Sequence, residues 1–277
     1  MKIITHPGQA HNDEFLAIAV LCAHTSVLSI ERREPTQEEL EDPRVLVVDI
    51  GGRHEPEKGN FDHHQLPRDH APTCALSLVL EHLEILDDFR NIFPWLSVIE
   101  ELDSKGPFAV AKRLGITPDD LLALQNPIAS GILAEFAKET TILPNGDTHY
   151  ILATIGQGIL KTFENTSKRL VELKNNAANF AANDVNCLDV RFIPGDQQPT
   201  LALELFCKQY SPIPVHVTVT NDDRGPGFCL FRRNDDPRVD FSKINGHSDV
   251  IFAHANGFIA KTSKTANVQE LVQLSLV

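Results

Sequence analysis

The segment of residues 44–50, with an uninterrupted apolar centre, constrains the fold more than any other feature of the sequence. Its centre is Val-Leu-Val-Val, without the alternation of apolar and polar residues that a strand with one wet face shows. Such segments are typical of parallel strands that are covered on both faces. Shorter strands are predicted over 2–6 and 27–30, with a buried helix from Asp13 between them. Strands separated by helices indicate βαβ units, a parallel sheet and ligands at the carboxyl ends of its strands.

The rest of the sequence has a helical part followed by a part richer in strands. Helices are predicted over residues 74–83, 87–102, 118–124, 128–139 and 148–180. Strands are then predicted over 187–192, 215–220, 227–232 and 250–258, with helices over 201–210 and 268–274. The predicted fold is therefore α/β. A parallel-sheet N-terminal domain with a helical connector spans residues 1–182, and a smaller α/β C-terminal domain spans residues 183–277.

The composition argues against several classes of protein. Thirty-eight acidic residues against 25 basic ones give a formal charge of −13, which does not suit a protein that binds long duplex DNA. The five cysteines include no C-x-x-C pair, which argues against a disulfide framework and a cysteine-built zinc site. The longest apolar stretch, Phe15–Ala23, is too short to cross a membrane, and no secretory leader is evident. We therefore expect a cytoplasmic protein without a membrane partner; the oligomeric state does not follow from the sequence.

Three clusters of histidine and aspartate lie where the predicted sheet would present its ligands. Eight of the twelve histidines fall within the first 82 residues, beside acids. The clusters are His6, His11 and Asp13 after the first strand, Asp49 after the apolar strand, and the run Asp62-His63-His64. Taken singly, a histidine near a turn is usually solvated, and an aspartate that ends a strand is more often a turn residue. Taken together, imidazoles and carboxylates without thiolates suit Mn²⁺, or Mg²⁺ and Co²⁺ as alternatives.

A pair of divalent ions roughly 3.5–4 Å apart can hold a phosphate and activate water. Such a pair needs about six protein ligands, including a bridging carboxylate. The sequence offers these six candidate ligands: His6, His11, Asp13, Asp49, His63 and Asp103. Asp103 lies near the end of a predicted helix, where the helix dipole disfavours a carboxylate, and this favours a cation nearby.

Four segments together resemble the hallmarks of a known family. They are Thr5-His6-Pro7-Gly8-x-x-His11-x-Asp13-Glu14, Val48-Asp49-Ile50-Gly51-Gly52, Phe61-Asp62-His63-His64-Gln65 and Phe252-Ala253-His254-Ala255-x-Gly257-Phe258-Ile259. The chain thereby resembles the Myg (melanocyte proliferating gene) family of the DHH phosphoesterase superfamily. That superfamily includes RecJ-type exonucleases, oligoribonucleases and manganese-dependent inorganic pyrophosphatases. The Myg family is regarded as a group of metal-dependent exonucleases that act on RNA.

The resemblance implies roles for individual residues. It implies that the six candidates are the metal ligands, with Asp13 or Asp49 as the bridge. It also implies a catalytic pair, in which Asp62 orients the histidines and His64 either supports a metal ligand from outside the coordination sphere or polarises the substrate. The first motif departs from RecJ-like members, because His11 stands where they carry an aspartate. The glycine-rich substrate loop of many DHH proteins is not evident, and Ile244–Ser248 is the nearest equivalent.

Four residues of the second domain are candidates for substrate binding: Arg232, His247, His254 and Lys261. Arginine and lysine supply charge-assisted contacts to an anion. The alternative for Arg232 is a solvated residue at a strand end. His254 and Lys261 are favoured because the family-like C-terminal motif contains or adjoins them.

The sequence therefore predicts a metal-dependent phosphodiester hydrolase with two divalent ions, Mn²⁺ first. The expected activity is that of an exonuclease on short single-stranded RNA or oligonucleotides. Two alternatives stay open at this point. One is a phosphatase or pyrophosphatase of the DHH type that acts on small phosphate compounds, and the other is a non-catalytic nucleotide-binding protein.

Overall fold

The computed structural model describes residues 1–124, 126–191 and 200–277. The chain divides into two compact units, Met1–Phe163 and Glu164–Val277, which we call unit one and unit two. Each unit contains a six-stranded sheet. The predicted α/β class is confirmed. Among the described residues, no helix combines the length and the apolar character that crossing a lipid bilayer requires.

The sheet of unit one is parallel at its centre and antiparallel at both edges. Its strands are β1 (Lys2–Thr5), β2 (Ser29–Arg32), β3 (Val45–Val48), β4 (His54–Glu55), β5 (Asn60–Phe61) and β6 (Thr141–Ile142). They lie in the order β4-β5-β3-β1-β2-β6. β1 pairs in parallel with β2 and β3, and β3 pairs in parallel with β5. β4 and β6 run antiparallel to their neighbours.

Helices cover this sheet and extend the unit. They are α1 (Asn12–His24), α2 (Gln37–Leu40), α3 (Ala75–His82), α4 (Leu86–Ile92), α5 (Trp95–Lys105), α6 (Pro107–Leu114), α7 (Pro118–Ala123), α8 (Pro127–Lys138) and α9 (Asp147–Asn176). The single helix predicted over 87–102 is wrong, because α4 ends before Pro94. Proline disfavours helical backbone at the residue before it, and Phe93 is indeed non-helical.

Helix α1 lies in the core of unit one because it is apolar around most of its circumference. Four consecutive residues, Ala17 to Val20, have no exposed surface. Helix α9 approaches it closely at Gly156, where a Cβ atom would lie 1.9 Å from the carbonyl oxygen of Ala19. Only glycine allows two backbones to approach this far. The packing holds α1 firmly, and with it the residues at its N-terminus.

Unit two has a mostly antiparallel sheet. Its strands are β7 (Ala178–Ala182), β8 (Val185–Asp189), β9 (Val217–Asn221), β10 (Phe228–Arg232), β11 (Val250–Ala253) and β12 (Ile259–Thr262), in the order β11-β12-β10-β9-β8-β7. Helix α10 (Thr200–Leu205) continues as a π-helical turn, Phe206–Tyr210, and α11 (Val268–Leu274) follows the last strand. The core contains Val217, Leu230, Phe241 and Leu271.

Two sequence-based expectations for unit two need comment. The strand predicted over 250–258 is wrong, because a turn that includes Gly257, with a φ of 65°, separates β11 from β12. The predicted end of a strand at Phe192 lies outside the described residues. The domain boundary between residues 182 and 183 stays a prediction; the two compact units divide within α9.

Candidate metal centre

The candidate centre lies at one edge of the sheet of unit one. His6 follows β1, Asp49 follows β3, and His63 comes two residues after β5. Because these strands are parallel neighbours, their carboxyl ends meet at the same edge. The first turn of α1 adds Asp13, and α5 adds Asp103. Ligands from five separate elements are thereby brought to one place.

Asp49 lies between two histidines and is almost fully buried. Its Oδ1 atom is 3.1 Å from Nε2 of His63, and its Oδ2 atom is 3.5 Å from Nε2 of His6. Its backbone has a φ of 60°, and its N–H donates to the carbonyl oxygen of Phe61 at 3.0 Å. Left-handed backbone at a residue other than glycine costs on the order of 1–3 kcal/mol and is found mostly at functional sites. With one oxygen toward each histidine, Asp49 is placed as a bridging ligand would be.

Three buried atoms converge at the centre without making a hydrogen bond. They are Oδ1 of Asp49, Nε2 of His63 and Oδ2 of Asp103. Nε2 of His63 is 2.7 Å from Oδ2 of Asp103, yet the geometry is not that of a hydrogen bond. Buried polar atoms are nearly always paired, so unpaired atoms on two carboxylates, with Nε2 of His63 close to each, need an explanation. Divalent cations accept imidazole nitrogen and carboxylate oxygen together, and residues of these types suit them.

Asp13 adds a further carboxylate to this buried place. It is 1% exposed, and its Oδ2 atom accepts the backbone N–H of Ala75 at 3.3 Å. Its Oδ1 atom has no hydrogen-bond partner. Burial, and then the negative charges of Asp49 and Asp103, raise the pKa of Asp13 well above its usual value. Without a cation this group of carboxylates is unfavourable, which again indicates a metal site.

Two histidines, His6 and His63, have their Nε2 atoms toward the carboxylates of the centre. Nδ1 of His6 lies 3.0 Å from the carbonyl oxygen of Pro7, so the hydrogen on Nδ1 is accounted for and Nε2 faces the carboxylates. Contacts with Asp49 and then Glu14 raise the pKa of His6 to about 10. Burial opposes protonation of His63, but the nearby Asp103 and Asp49 carboxylates raise its pKa to about 10. In the metal-free protein, His6 and His63 are therefore protonated on the side where a cation would bind.

The pKa of the Asp49 carboxyl is shifted in the opposite direction to those of the histidines. Burial alone would raise its pKa, but the contacts with His6 and His63 outweigh burial and lower the pKa to about 2. Asp49 is therefore ionised at neutral pH, as a metal ligand must be.

Asp62 and His64 form a pair beside these ligands. Nδ1 of His64 is 2.7 Å from Oδ1 of Asp62, and Oδ2 of Asp62 accepts the backbone N–H of Gly52 at 2.6 Å. Asp62 is buried, whereas the side chain of His64 is 62% exposed. The bond to Asp62 raises the pKa of His64. His64 thus presents its ring to solvent, while Asp62 fixes both the ring and the loop after β3.

Two buried residues of the site are absent from the sequence-based prediction. Glu14, with no exposed surface, has its Oε2 atom 2.7 Å from Nε2 of His6 and accepts the backbone N–H of His11 at 3.0 Å. Arg32 lies 3.4 Å from Oε1 of Glu14 and donates to the carbonyl oxygens of His6 and Gly8, at 3.1 Å each. The signal for Glu14 was its position next to Asp13 in the first turn of a buried helix. No sequence signal marks Arg32.

The potential donors form three overlapping groups, within each of which the ligand atoms lie within 4.8 Å of one another. The groups are His6, His11, Glu14 and Asp49; Asp49, His63 and His64; and His11, Asp13 and Asp103. All six predicted ligands occur in them. Asp49 belongs to two groups, and so does His11. The cluster is therefore compatible with divalent metal binding, and the roles of the single residues stay predictions.

The four predicted substrate-binding residues lie in unit two, and their surroundings differ. Lys261 forms ion pairs with Asp222 and Asp223, and Arg232 contacts Asp235 and donates to the carbonyl oxygen of Val239 at 2.8 Å. The two histidines are half-buried, and each accepts a backbone N–H at Nδ1, His247 from Asp249 and His254 from Asn256. Both cations thus already have carboxylate partners. The substrate-binding role stays a prediction for all four.

The sequence itself is similar to a described family over its N-terminal part. Residues 2–76 match the model of MYG1_exonuc, described as an uncharacterised protein family (UPF0160). A search of curated proteins finds no match to the chain. A solved structure of PggH, a pGpG-specific phosphodiesterase from Vibrio cholerae, is 13% identical, with a TM-score of 0.30, over 95% of this chain and 92% of that chain. A likeness of this degree is too weak to carry an argument.

The family match includes five of the six predicted ligands and both residues of the Asp62–His64 pair; Asp103 lies beyond it. The match covers the first three of the four segments on which the predicted resemblance was based. Over residues 2–76, this chain is therefore similar to the MYG1 exonuclease family, as its motifs predicted.

Proposed function

We propose that this protein is a metal-dependent phosphoester hydrolase and that two divalent ions, Mn²⁺ before Mg²⁺ or Co²⁺, bind at the candidate centre. The observation that carries the proposal is the set of three buried, unpaired atoms on Asp49, His63 and Asp103. The similarity of residues 2–76 to a family named for exonuclease activity supports it. Divalent ions held there would polarise a phosphoryl group and lower the pKa of a water molecule.

In this proposal, the residues of the candidate centre have different roles. His6, His11, Asp13, Asp49, His63 and Asp103 hold the ions. Asp49, which faces both His6 and His63, is the bridge. His64 is exposed, and the bond to Asp62, which raises its pKa, favours the protonated ring that would donate a hydrogen bond to a phosphate oxygen. Asp62 keeps the ring of His64 oriented through the bond at 2.7 Å.

The proposed substrate is a short single-stranded nucleic acid, RNA before DNA, which is cleaved from an end. An acidic chain with a formal charge of −13 lacks the broad cationic surface that long duplexes require. A short substrate can instead be held mainly by its contacts with the metal centre. The two-metal mechanism and the preference for RNA both belong to this proposal.

The test is an assay of the purified full-length chain on end-labelled RNA and DNA oligomers, with Mn²⁺, Mg²⁺ or Co²⁺ added separately. Release of mononucleotides is expected, and pyrophosphate and simple phosphate monoesters serve as competing substrates. Asp49→Asn should lower kcat at least a thousandfold, because the amide removes the bridging charge. Asparagine tolerates left-handed backbone, so the fold is retained. Asp42→Asn, which changes an aspartate that pairs with Arg44 on the surface, is the matched control.

The outcomes separate the proposal from its rivals. Orthophosphate release from small phosphates, with oligomers left intact, would assign a phosphatase or pyrophosphatase activity instead. Nucleotide binding without hydrolysis of any substrate would assign a binding protein. Full activity in Asp49→Asn would overturn the ligand assignment.

A further inference from the structure

A cavity of about 690 Å³ lies beside the metal centre in unit one. Its volume falls in the range of about 300–1,000 Å³ that is typical of small-molecule sites. His11, Asp13 and Asp103, whose ligand atoms lie within 4.8 Å of one another, form part of its lining. The cavity is therefore continuous with three of the proposed metal ligands.

The rest of the lining comes largely from α5 and α8, and it is mostly apolar. Ile99 and Leu102 line the cavity from α5, and Leu133 does so from α8. Three further residues of α8 in the lining are alanines, at positions 129, 134 and 137. Their small side chains leave the space beside α8 open, whereas larger ones would fill it. The apolar part of the lining suits an uncharged group.

The charges of the lining indicate which part of a substrate the cavity can accept. Among the described residues that line it there is no lysine or arginine, so the part of the cavity away from the proposed metal ligands offers no ammonium or guanidinium group to a phosphate. A phosphate therefore belongs at the metal centre. The neutral part of the same substrate, a base with its sugar, needs no such cation.

Amide side chains in the lining offer hydrogen bonds to a base. Gln9, Asn12 and Asn126 all line the cavity. Oδ1 of Asn126 accepts the backbone N–H of Ile128 at 2.9 Å, which leaves the two amide hydrogens without a partner among the described residues. Sequence-specific recognition of single-stranded RNA uses polar groups that hydrogen-bond the edges of its bases.

We propose that this cavity binds the nucleoside of the nucleotide whose phosphate lies at the metal centre. The inference rests on the proposed function and adds to it the place at which the nucleoside of the substrate binds. The helix α8 then determines specificity, and its alanines set the size of the group that is accepted.

The experiment compares two probes that share a phosphate and differ in the nucleoside. Binding of adenosine 5′-monophosphate and of inorganic phosphate to the full-length, Mn²⁺-loaded protein is measured by isothermal titration calorimetry. The wild type should bind the nucleotide at least tenfold more tightly than phosphate. Ala134→Phe, which fills the cavity, should weaken nucleotide binding at least tenfold more than phosphate binding. Glu135→Phe places the same ring on an exposed position of α8 outside the lining and should leave the ratio unchanged.

Equal weakening of both probes by Ala134→Phe would overturn the inference, and so would equal affinities in the wild type. Ala129→Phe repeats the test at a second position of the lining, in case the first variant fails to fold. Failure of the proposed function can be distinguished from failure of this inference. A protein that binds the nucleotide more tightly than phosphate but cleaves no oligomer has the nucleoside site without the hydrolase activity. A protein that cleaves generic phosphodiesters and oligomers equally well, with no effect of Ala134→Phe, is a hydrolase without this site.

Discussion

At the scale of single residues, the histidines of the centre couple metal binding to protons. His6 and His63 have pKa values of about 10 in the metal-free protein, against 6.5 for an ordinary histidine. Both are therefore protonated at neutral pH, and a cation must displace those protons. Protonation stabilises the metal-free fold fully below about pH 6.5, and this stabilisation is lost as the pH rises toward 10.

Metal affinity should consequently rise with pH between 6 and 9, with about two protons released at pH 7. Calorimetric titration of Mn²⁺ in two buffers with different ionisation enthalpies measures the number of protons. His70→Gln, which changes an exposed histidine of unit one, should release the same number. Binding that is independent of pH would contradict the assignment of His6 and His63 as ligands.

Arg32 is expected to support the site through charge pairing and hydrogen bonds. Its side chain is 1% exposed and faces the fully buried Glu14. Arg32→Ala leaves the buried Glu14 carboxylate with His6 as its cationic partner and removes the hydrogen bonds from Arg32 to two backbone carbonyl oxygens, so we expect a loss of about 1–3 kcal/mol in the free energy of unfolding. Urea denaturation of the metal-free protein measures it. Arg44→Ala, which breaks a pair on the surface with Asp42, should have little effect. Equal effects of the two substitutions would show that Glu14 finds another partner.

At the scale of elements, the contact between α1 and α9 depends on one glycine. Gly156→Ala would place a methyl group 1.9 Å from the carbonyl oxygen of Ala19, so the helices must separate. We expect a loss of about 1–3 kcal/mol despite the better helix propensity of alanine. Gly158, two residues later in α9, has nothing within 4 Å of its Cβ position. Gly158→Ala should therefore stabilise by about 0.5–1 kcal/mol. Chemical denaturation measures the free energy of unfolding of the two variants. Stabilisation by both substitutions would mean that α1 and α9 are not in close contact.

The elements also show what the sequence could predict and what it could not. β1, β3 and α1 were predictable because their apolar patterns are local and continuous. The three histidine–aspartate clusters were predictable because parallel strands place their carboxyl ends together. The pairing of Glu14 with Arg32 and that of Lys261 with Asp222 join residues 18 and 39 positions apart, and no local pattern specifies such partners. Arg232 was predicted as a substrate ligand from residue type, and Lys261 from residue type and its position beside the family-like C-terminal motif; neither signal specifies the carboxylate that pairs with it.

At the scale of the whole molecule, all six proposed metal ligands lie in unit one. Ligand binding stabilises the folded state in proportion to the logarithm of ligand concentration, by about 2.7 kcal/mol at one hundred times Kd. Mn²⁺ at that excess should raise the Tm by roughly 5–10 °C for a unit of this size, and EDTA should reverse the shift. Where calorimetry resolves two thermal transitions, Mn²⁺ should raise the Tm of only one of them. An equal shift in Asp49→Asn would place the bound metal elsewhere.

The sheet of unit one has outer strands, β4 and β6, of only two residues each. Both run antiparallel to their neighbours and shield the longer strands between them. A sheet edge this short offers few free backbone groups with which a foreign chain could pair. The short outer strands therefore protect this strongly apolar sheet against edge-to-edge pairing with other chains, the kind of pairing that builds fibrils.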